Sequence, residues 1–367
     1  MTFEHIPLKE NPFRVTPSNI SQEIIWAGFP TLKKDIEKRI KFSSRFSNSN
    51  IVLNWGEYGS GKTHAANYFT QKSILQNISG EGNVAPFSIK ITLPKGKSPV
   101  SDLFTNVIDF LDIKDLRGEF DSEKEDLKKF IQSWTNNNIL KAILSAIFLK
   151  DDIKTTVIKS YLYGTISNSE LKELNEYNIL RKINGDEDYI KLLSGIFSCL
   201  SFDKKIYSSV VLWIDEFEDI SLLNNSNINK LNNFVREIIN NTPNHFLLFI
   251  NFTASAMINV EDLSAYLSEA VISRIRNRIE FRLPSTENLK LYLKEILNHF
   301  HNEETPNDYA PFTENGIDEV IDVLGNASLR AYNEAFSILL EIAEFNEVSV
   351  INRDFIIENK DEFKPWK

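Results

Sequence analysis

Cysteine is almost missing. The chain of 367 residues holds one, Cys199, which rules out an intramolecular disulfide framework and any multi-cysteine zinc site. It lies in an apolar helical pattern and reads as a small core residue. Histidine is sparse too, five residues without ligand spacing. Positive charge is in deficit: 41 Lys and Arg against 51 Asp and Glu leave a net charge of −10. That balance argues against a general electrostatic grip on nucleic acid, although a local basic patch stays open. No apolar run approaches the roughly 18–20 residues of a membrane span. Met1-Thr2-Phe3-Glu4-His5 lacks the basic-then-apolar layout of a signal peptide. A cytoplasmic location and no membrane contact are therefore expected. There is no internal repeat and no low-complexity tract. The remainder, 42% hydrophobic and 25% charged, is ordinary for a globular chain and long enough for two or three domains.

Residues 56–63, Gly-Glu-Tyr-Gly-Ser-Gly-Lys-Thr, follow the G-x-x-x-x-G-K-[ST] pattern with an extra glycine at Gly59. Glycines let the backbone curl so that successive N–H groups point at phosphate oxygens. Lys62 is expected to reach the β- and γ-phosphates, and the Thr63 hydroxyl to ligate Mg²⁺. The context fits. Ile51-Val52-Leu53 precedes the loop as a buried parallel strand should, and a helix is expected from His64 to Gln71, which puts the anion at a helix N-terminus. The expected cradle is Gly56, Gly59, Ser60, Gly61, Lys62, Thr63 and His64.

A second half-site matches the first. Val210-Val211-Leu212-Trp213-Ile214 is an apolar run that ends in Asp215-Glu216. Adjacent carboxylates at the end of a buried strand are costly unless something compensates their charge, and a metal ion does so. Asp215 is expected to hold Mg²⁺, and Glu216 to orient or deprotonate an attacking water. A bound nucleotide and Mg²⁺ are therefore expected, and the resemblance named below makes the nucleotide ATP.

The rest of the chain suggests three parts. Residues 1–30, with Pro7, Pro12, Pro17 and Pro30, read as an irregular N-terminal arm. An α/β core with a parallel sheet flanked by helices is expected over 31–283. It opens with a helix capped by Thr31, whose polar face carries Lys33, Lys34, Lys38, Arg39 and Lys41. A solvated face and a partner or nucleic-acid contact are both open for it. Strands are expected at 87–93, 246–252 and 278–283, with Asn251 near the end of its strand, and a helix at 263–272. An all-α insertion at about 112–200 exceeds what a strand crossover requires. Three helices at 287–300, 314–324 and 328–346 form a small helical lid domain, 284–367.

With strand, P-loop, acidic strand, Asn-ended strand and helical lid in that order, the chain resembles the AAA+ ATPases, and within them the ORC/Cdc6 clade. The resemblance implies that Asn251, in Phe249-Ile250-Asn251, is sensor 1 and helps to position the water. It implies that Arg274, in Ser273-Arg274-Ile275-Arg276-Asn277-Arg278, is the arginine finger reaching a neighbouring subunit's γ-phosphate. Arg276 and Arg278 compete by proximity. The lid departs from the family pattern. The sensor 2 arginine normally lies three residues after a glycine, whereas here Gly325 is followed by Asn-Ala-Ser-Leu and then Arg330. If Ser328 caps the helix, Arg330 lies in its first turn and can face the nucleotide. If the helix starts earlier, Arg330 points elsewhere. The family also sets residues before the first core helix against the adenine. Ile25 and Trp26 could wall the base here, or anchor the arm.

The insertion carries its own echo. Tyr161-Leu162-Tyr163-Gly164, Glu170-Leu171-Lys172 and Asp188-Tyr189, before a helix leading into Trp213-Ile214-Asp215-Glu216-Phe217-Glu218, resemble ATPases of BREX-type phage-defence systems. Together the resemblances imply a homo-oligomeric AAA+ ATPase, with an arginine finger in trans, acting as an assembly switch in a prokaryotic anti-phage complex that recruits or gates an effector protein. The alternatives are a DNA-associated replication or transposition regulator and a nucleotide-bound scaffold. The sequence ends soon after the lid, where the clade normally adds a DNA-gripping winged helix, so any DNA contact is expected to come from elsewhere.

Overall fold

Apolar runs such as 210–214 stay buried on both sides only when helices cover both faces of a parallel sheet. A computed structural model describes residues 3–13, 24–254, 262–302 and 308–364; Met1, Thr2 and Pro17 of the expectations above fall outside these. Its sheet has five parallel strands, β1 (Ser49–Glu57), β2 (Phe87–Thr92), β3 (Val210–Asp215), β4 (Phe246–Ala254) and β5 (Ile275–Phe281), in the order β2-β3-β4-β1-β5. Every residue of β3 is buried.

Strand alternation sorts the core. Val52, Val211, Trp213 and Phe249 face the helices Pro30–Arg45 and Lys62–Tyr68, meeting Ile36, Ile40, Ala65 and Ala66. The Trp213 and Phe249 rings stack there at 3.9 Å. Leu53, Leu212, Leu248 and Ile250 face the other way, against the helices Pro99–Ile108, Asp186–Leu200 and Asn225–Asn241. The all-α insertion extends this second core rather than standing apart: Phe120, Ile147 and Phe197 belong to the same buried cluster. Arg117 pins it, its guanidinium donating to the carbonyls of Ala146 (2.6 Å), Ile147 (3.2 Å) and Ile153 (2.8 Å). Cys199 is fully buried, and burial pushes its thiol well above the usual range.

A third core holds the C-terminal helices Thr286–Phe300, Glu314–Leu324 and Leu329–Phe345. Phe3, Ile6, Leu8 and Phe13 of the N-terminal arm are buried in it. The Lys9 N–H donates to the Phe300 carbonyl (2.9 Å), and the Asn302 N–H to that of Pro7 (3.1 Å).

Some local expectations need correction. Thr31 does not cap the first helix: Phe29 does, in a left-handed conformation (φ 49°), because Pro30 takes the first helical position with its φ preset. The helix expected across 263–272 is two turns, Leu263–Tyr266 and Glu269–Ile272. Asn232 breaks it from outside, its amide nitrogen donating to the Tyr266 carbonyl (2.8 Å) and its oxygen accepting from the Ser268 N–H (2.7 Å). β5 starts at Ile275, which pairs with Ile51, not at Arg278. Asn251 is three residues short of its strand's end. Helices Lys72–Ser79 and Ile113–Glu119 were not expected. Among the described residues, no helix is long and apolar enough to cross a membrane.

Candidate functional site

The C-terminal ends of β1 and β3 open into one cleft of about 440 Å³, lined by the loop from Tyr58 to His64, by Asp215, Glu216 and Lys95, by Ile25 and Trp26, and by Arg330 from the lid. This is where an open parallel sheet places its ligands. Close packing dictates two of the loop's glycines. A Cβ on Gly56 would meet the Phe281 carbonyl at 2.3 Å, and one on Gly59 (φ 76°) would meet the Arg330 Cβ and the Ser328 Oγ, each at 2.8 Å. The lid therefore rests directly on the loop tip. The helix Lys62–Tyr68 starts just after Gly61.

Lys62 is buried. Its ammonium donates to the carbonyls of Gly56 and Glu57, each at 2.8 Å, and to the Ser60 Oγ at 3.3 Å. Burial pulls its pKa down to about 8, against the opposing charges of Glu218, Asp215 and Glu57. Opposite it, Asp215 is 4% exposed. One carboxylate oxygen accepts from the Asn251 Nδ2 at 2.9 Å, and the same nitrogen donates to the Lys62 carbonyl at 3.2 Å. The two half-sites are thus joined through one amide. Asn251 itself is fully buried and is not among the residues that line the cleft; it sits one layer behind Asp215.

Glu216 takes a left-handed conformation (φ 55°), which turns it out of the strand. Burial pushes its carboxyl up, Lys95 pulls it down, and Asp215, Asp219 and Glu218 add to the rise. Lys95 lies 2.6 Å from Asp219 in an ion pair. The Glu216 side chain is exposed and lines the cleft together with Lys95. Glu218 faces inward and accepts from the Thr253 N–H at 3.0 Å.

Ser328 caps the helix Leu329–Phe345, accepting from the Ala331 N–H at 3.3 Å. Arg330 is therefore in the first turn, and it does line the cleft. Its backbone N–H donates to the Gly59 carbonyl at 3.2 Å. Its guanidinium bonds the Tyr58 hydroxyl and lies 4.4 Å from the centre of that ring. Trp26 lines the far wall, edge-on to Tyr68 (5.4 Å between centroids), with its indole N–H on the Gly28 carbonyl at 2.8 Å. The His64 ring meets the Ile25 carbonyl at 2.8 Å. Trp26 is thus both tethered and in the wall.

Arg274 is not brought to this cleft. Its guanidinium contacts the Ala270 carbonyl (2.5 Å) and the Asn240 side-chain oxygen (3.2 Å). Arg276 and Arg278 are exposed on the edge strand β5. Four contributors have no role among the expectations above: Asn54, Tyr58, Lys95 and Glu218. Only Asn54 left a signal, a polar residue inside an apolar strand run.

Among the described residues, no cluster of three or more His, Cys, Asp and Glu could hold a metal by itself. Thr63 and Asp215 line the cleft together. One hydroxyl and one carboxylate suit Mg²⁺, which binds through one or two carboxylates plus phosphates and keeps several waters.

The insertion residues that carried the second resemblance have structural work. The Tyr161 hydroxyl donates to the Arg181 carbonyl at 2.9 Å. Arg181 pairs with Asp188, and the Tyr189 ring packs on Phe104 at 5.0 Å.

No family model and no curated protein matches the chain. Solved structures do. The Aeropyrum pernix ORC1 protein in complex with DNA is 12% identical over 93% of this chain and 66% of that one, with a TM-score of 0.50. The ORC2 protein of the same organism, in ADPNP–ADP complexes, is 13% identical over 90% of this chain and 66% of that one, with a TM-score of 0.51. CDC6P from Pyrobaculum aerophilum is 10% identical over 95% of this chain and 70% of that one, with a TM-score of 0.50. The chain spans just under two thirds of the length of both Aeropyrum proteins. Sheet order, phosphate loop, C-terminal helices and these likenesses agree on one architecture: an α/β P-loop AAA+ core with a C-terminal helical domain.

Proposed function

We propose that the protein is an ATPase that binds MgATP between core and lid and uses its hydrolysis as an assembly switch. The observation that carries this is that Lys62, Asp215 and Arg330 line one cleft. In this reading the amides from Gly59 to Thr63 and the Lys62 ammonium hold the phosphates, and Ile25 and Trp26 face the base. Thr63 and Asp215 hold the magnesium ion, which when bound neutralises phosphate charge. Glu216 takes a proton from water as its oxygen bonds to the γ-phosphorus and the bond to the bridging oxygen breaks. Asn251 acts through Asp215, and Arg330 couples the event to the lid. The solved relative crystallised with ADPNP and ADP supports nucleotide as the ligand.

The test is a pair of variants. Lys62→Ala should lose ATP and ADP binding. Glu216→Gln should bind ATP as tightly as the parent, lose turnover and accumulate the assembled form on sizing in the presence of ATP. Full turnover by Glu216→Gln would remove the base from the scheme.

For the cellular setting we propose an oligomer of this chain in an anti-phage complex with an effector protein, supported by the sequence echo in the insertion. A DNA-associated loader is the second reading. What supports it is a solved structure of similar fold bound to DNA and the helix Pro30–Arg45, which exposes Lys34, Lys38, Lys41 and Arg45. DNA-stimulated turnover that is lost on reversing those charges would select it.

A further inference from the structure

An amide is out of place in the middle of a buried parallel strand. Asn54 occupies such a position in β1, fully buried between Leu53 and Trp55. Its side-chain nitrogen donates to the Asn251 Oδ1 at 2.8 Å, across the register that pairs Asn54 with Asn251 on β4. Its own Oδ1 is buried with no hydrogen-bond partner. A buried acceptor left unmade carries its full desolvation penalty, and an aliphatic residue such as the Val52 one turn of the pleat earlier would avoid it.

Donor and acceptor counting fixes the orientation of both amides. The Asp215 carboxylate and the Lys62 carbonyl can only accept. The NH₂ group of Asn251 must therefore face them, at 2.9 and 3.2 Å, and its oxygen must face Asn54. Asn54 must then donate, which leaves its own oxygen pointing at nothing. The unpartnered atom is the consequence of holding Asn251 one way round.

We propose that Asn54 is a positioning residue: through the amide of Asn251 it fixes the direction in which the Asp215 carboxylate faces the cleft. The inference rests on the proposed nucleotide site. With Oδ1 of Asp215 tied to the amide, the other oxygen is the one that would be left to hold the cation. Losing an outer partner of a metal ligand commonly weakens metal binding by about 10–100-fold. Asn54 is one bond further out than Asn251, so its loss should weaken Mg²⁺ by about three- to tenfold.

The experiment is a Mg²⁺ titration of the full chain with bound ADP, for the parent, Asn54→Leu, Asn251→Leu and the double variant. Asn54→Leu should weaken Mg²⁺ by that factor, leave Mg²⁺-free ADP affinity within about twofold, and add nothing in the Asn251→Leu background. An unchanged Mg²⁺ affinity, an equal loss of Mg²⁺-free ADP affinity, or an undiminished effect in the Asn251→Leu background would each overturn it. If the parent binds no ADP at all, the nucleotide reading fails, and the positioning is decided by side-chain amide exchange in NMR spectra. Both Nδ2 protons of Asn251 should be protected in the parent and lose protection in Asn54→Leu. Free exchange in the parent, or unaltered protection in the variant, would overturn the inference.

Discussion

Lys62 shows how one buried charge makes binding depend on pH. Its pKa of about 8 stands below the ordinary 10.5, with burial as the first cause. The sign follows: the buried ammonium costs stability below about pH 8, and the cost fades as pH rises from there toward 10.5. A phosphate beside Lys62 favours the charged form and lifts its pKa again. ADP binding should therefore take up most of a proton through Lys62 at about pH 9. That uptake shrinks as pH falls through about 8 and gives way to release at about pH 6.5, where the ADP phosphate itself ionises beside the ammonium. Calorimetry in buffers of different ionisation enthalpy measures this directly, and proton release at the higher pH would contradict it. The residues that make up this half-site were plain in the sequence, because glycines, lysine and hydroxyl fall at fixed spacing after an apolar run. Asn54 and Lys95 were not, because each acts across a strand pairing or loop contact more than a hundred residues away.

At the scale of elements, the first turn of the helix Leu329–Phe345 docks on the phosphate loop. The contact is backbone to backbone, Arg330 N–H to Gly59 carbonyl at 3.2 Å, with the Tyr58 ring under the guanidinium. Gly59→Ala should hurt twice. Its φ of +76° costs a side chain about 1–2 kcal/mol, and the new methyl would collide with Ser328 and Arg330. Gly82 is the control, since it has a φ of +74° with nothing near its Cβ position. Gly82→Ala should lower the melting point modestly and leave ADP affinity intact. Gly59→Ala should lower both, with ADP affinity falling by roughly tenfold or more. Equal effects of the two variants on ADP binding would mean that the lid contact is idle. The Ser328 cap was legible because a serine before an apolar helical period is a start signal. The break inside 263–272 was not, since it is imposed by Asn232 from another helix. Nor was the arm's burial against the lid, because a short proline-rich stretch has no period to read.

At the scale of the whole molecule, Arg274 decides whether one copy acts on the cleft of another. In its own chain Arg274 is held by Ala270 and Asn240 and is absent from the cleft wall. An arginine that acts on the γ-phosphate from there acts on another copy's nucleotide. Exposed charges on an edge strand also serve to block sheet-to-sheet association, which is the competing account of Arg276 and Arg278. Complementation separates the two. Arg274→Ala should keep the parent's ADP and ATP affinity and lose turnover by about 10³–10⁵-fold. Lys62→Ala should lose turnover because it binds no nucleotide. Mixed together, the Lys62→Ala copies present Arg274 to intact cradles on the Arg274→Ala copies, so activity should return. Specific activity of the parent should also rise with protein concentration, as a shared site requires. A mixture that stays inactive while the parent is assembled, together with a large loss of ATP affinity in Arg274→Ala, would place this arginine in service of its own chain. Loss of turnover in Arg276→Ala or Arg278→Ala, with Arg274→Ala active, would instead move the finger along β5.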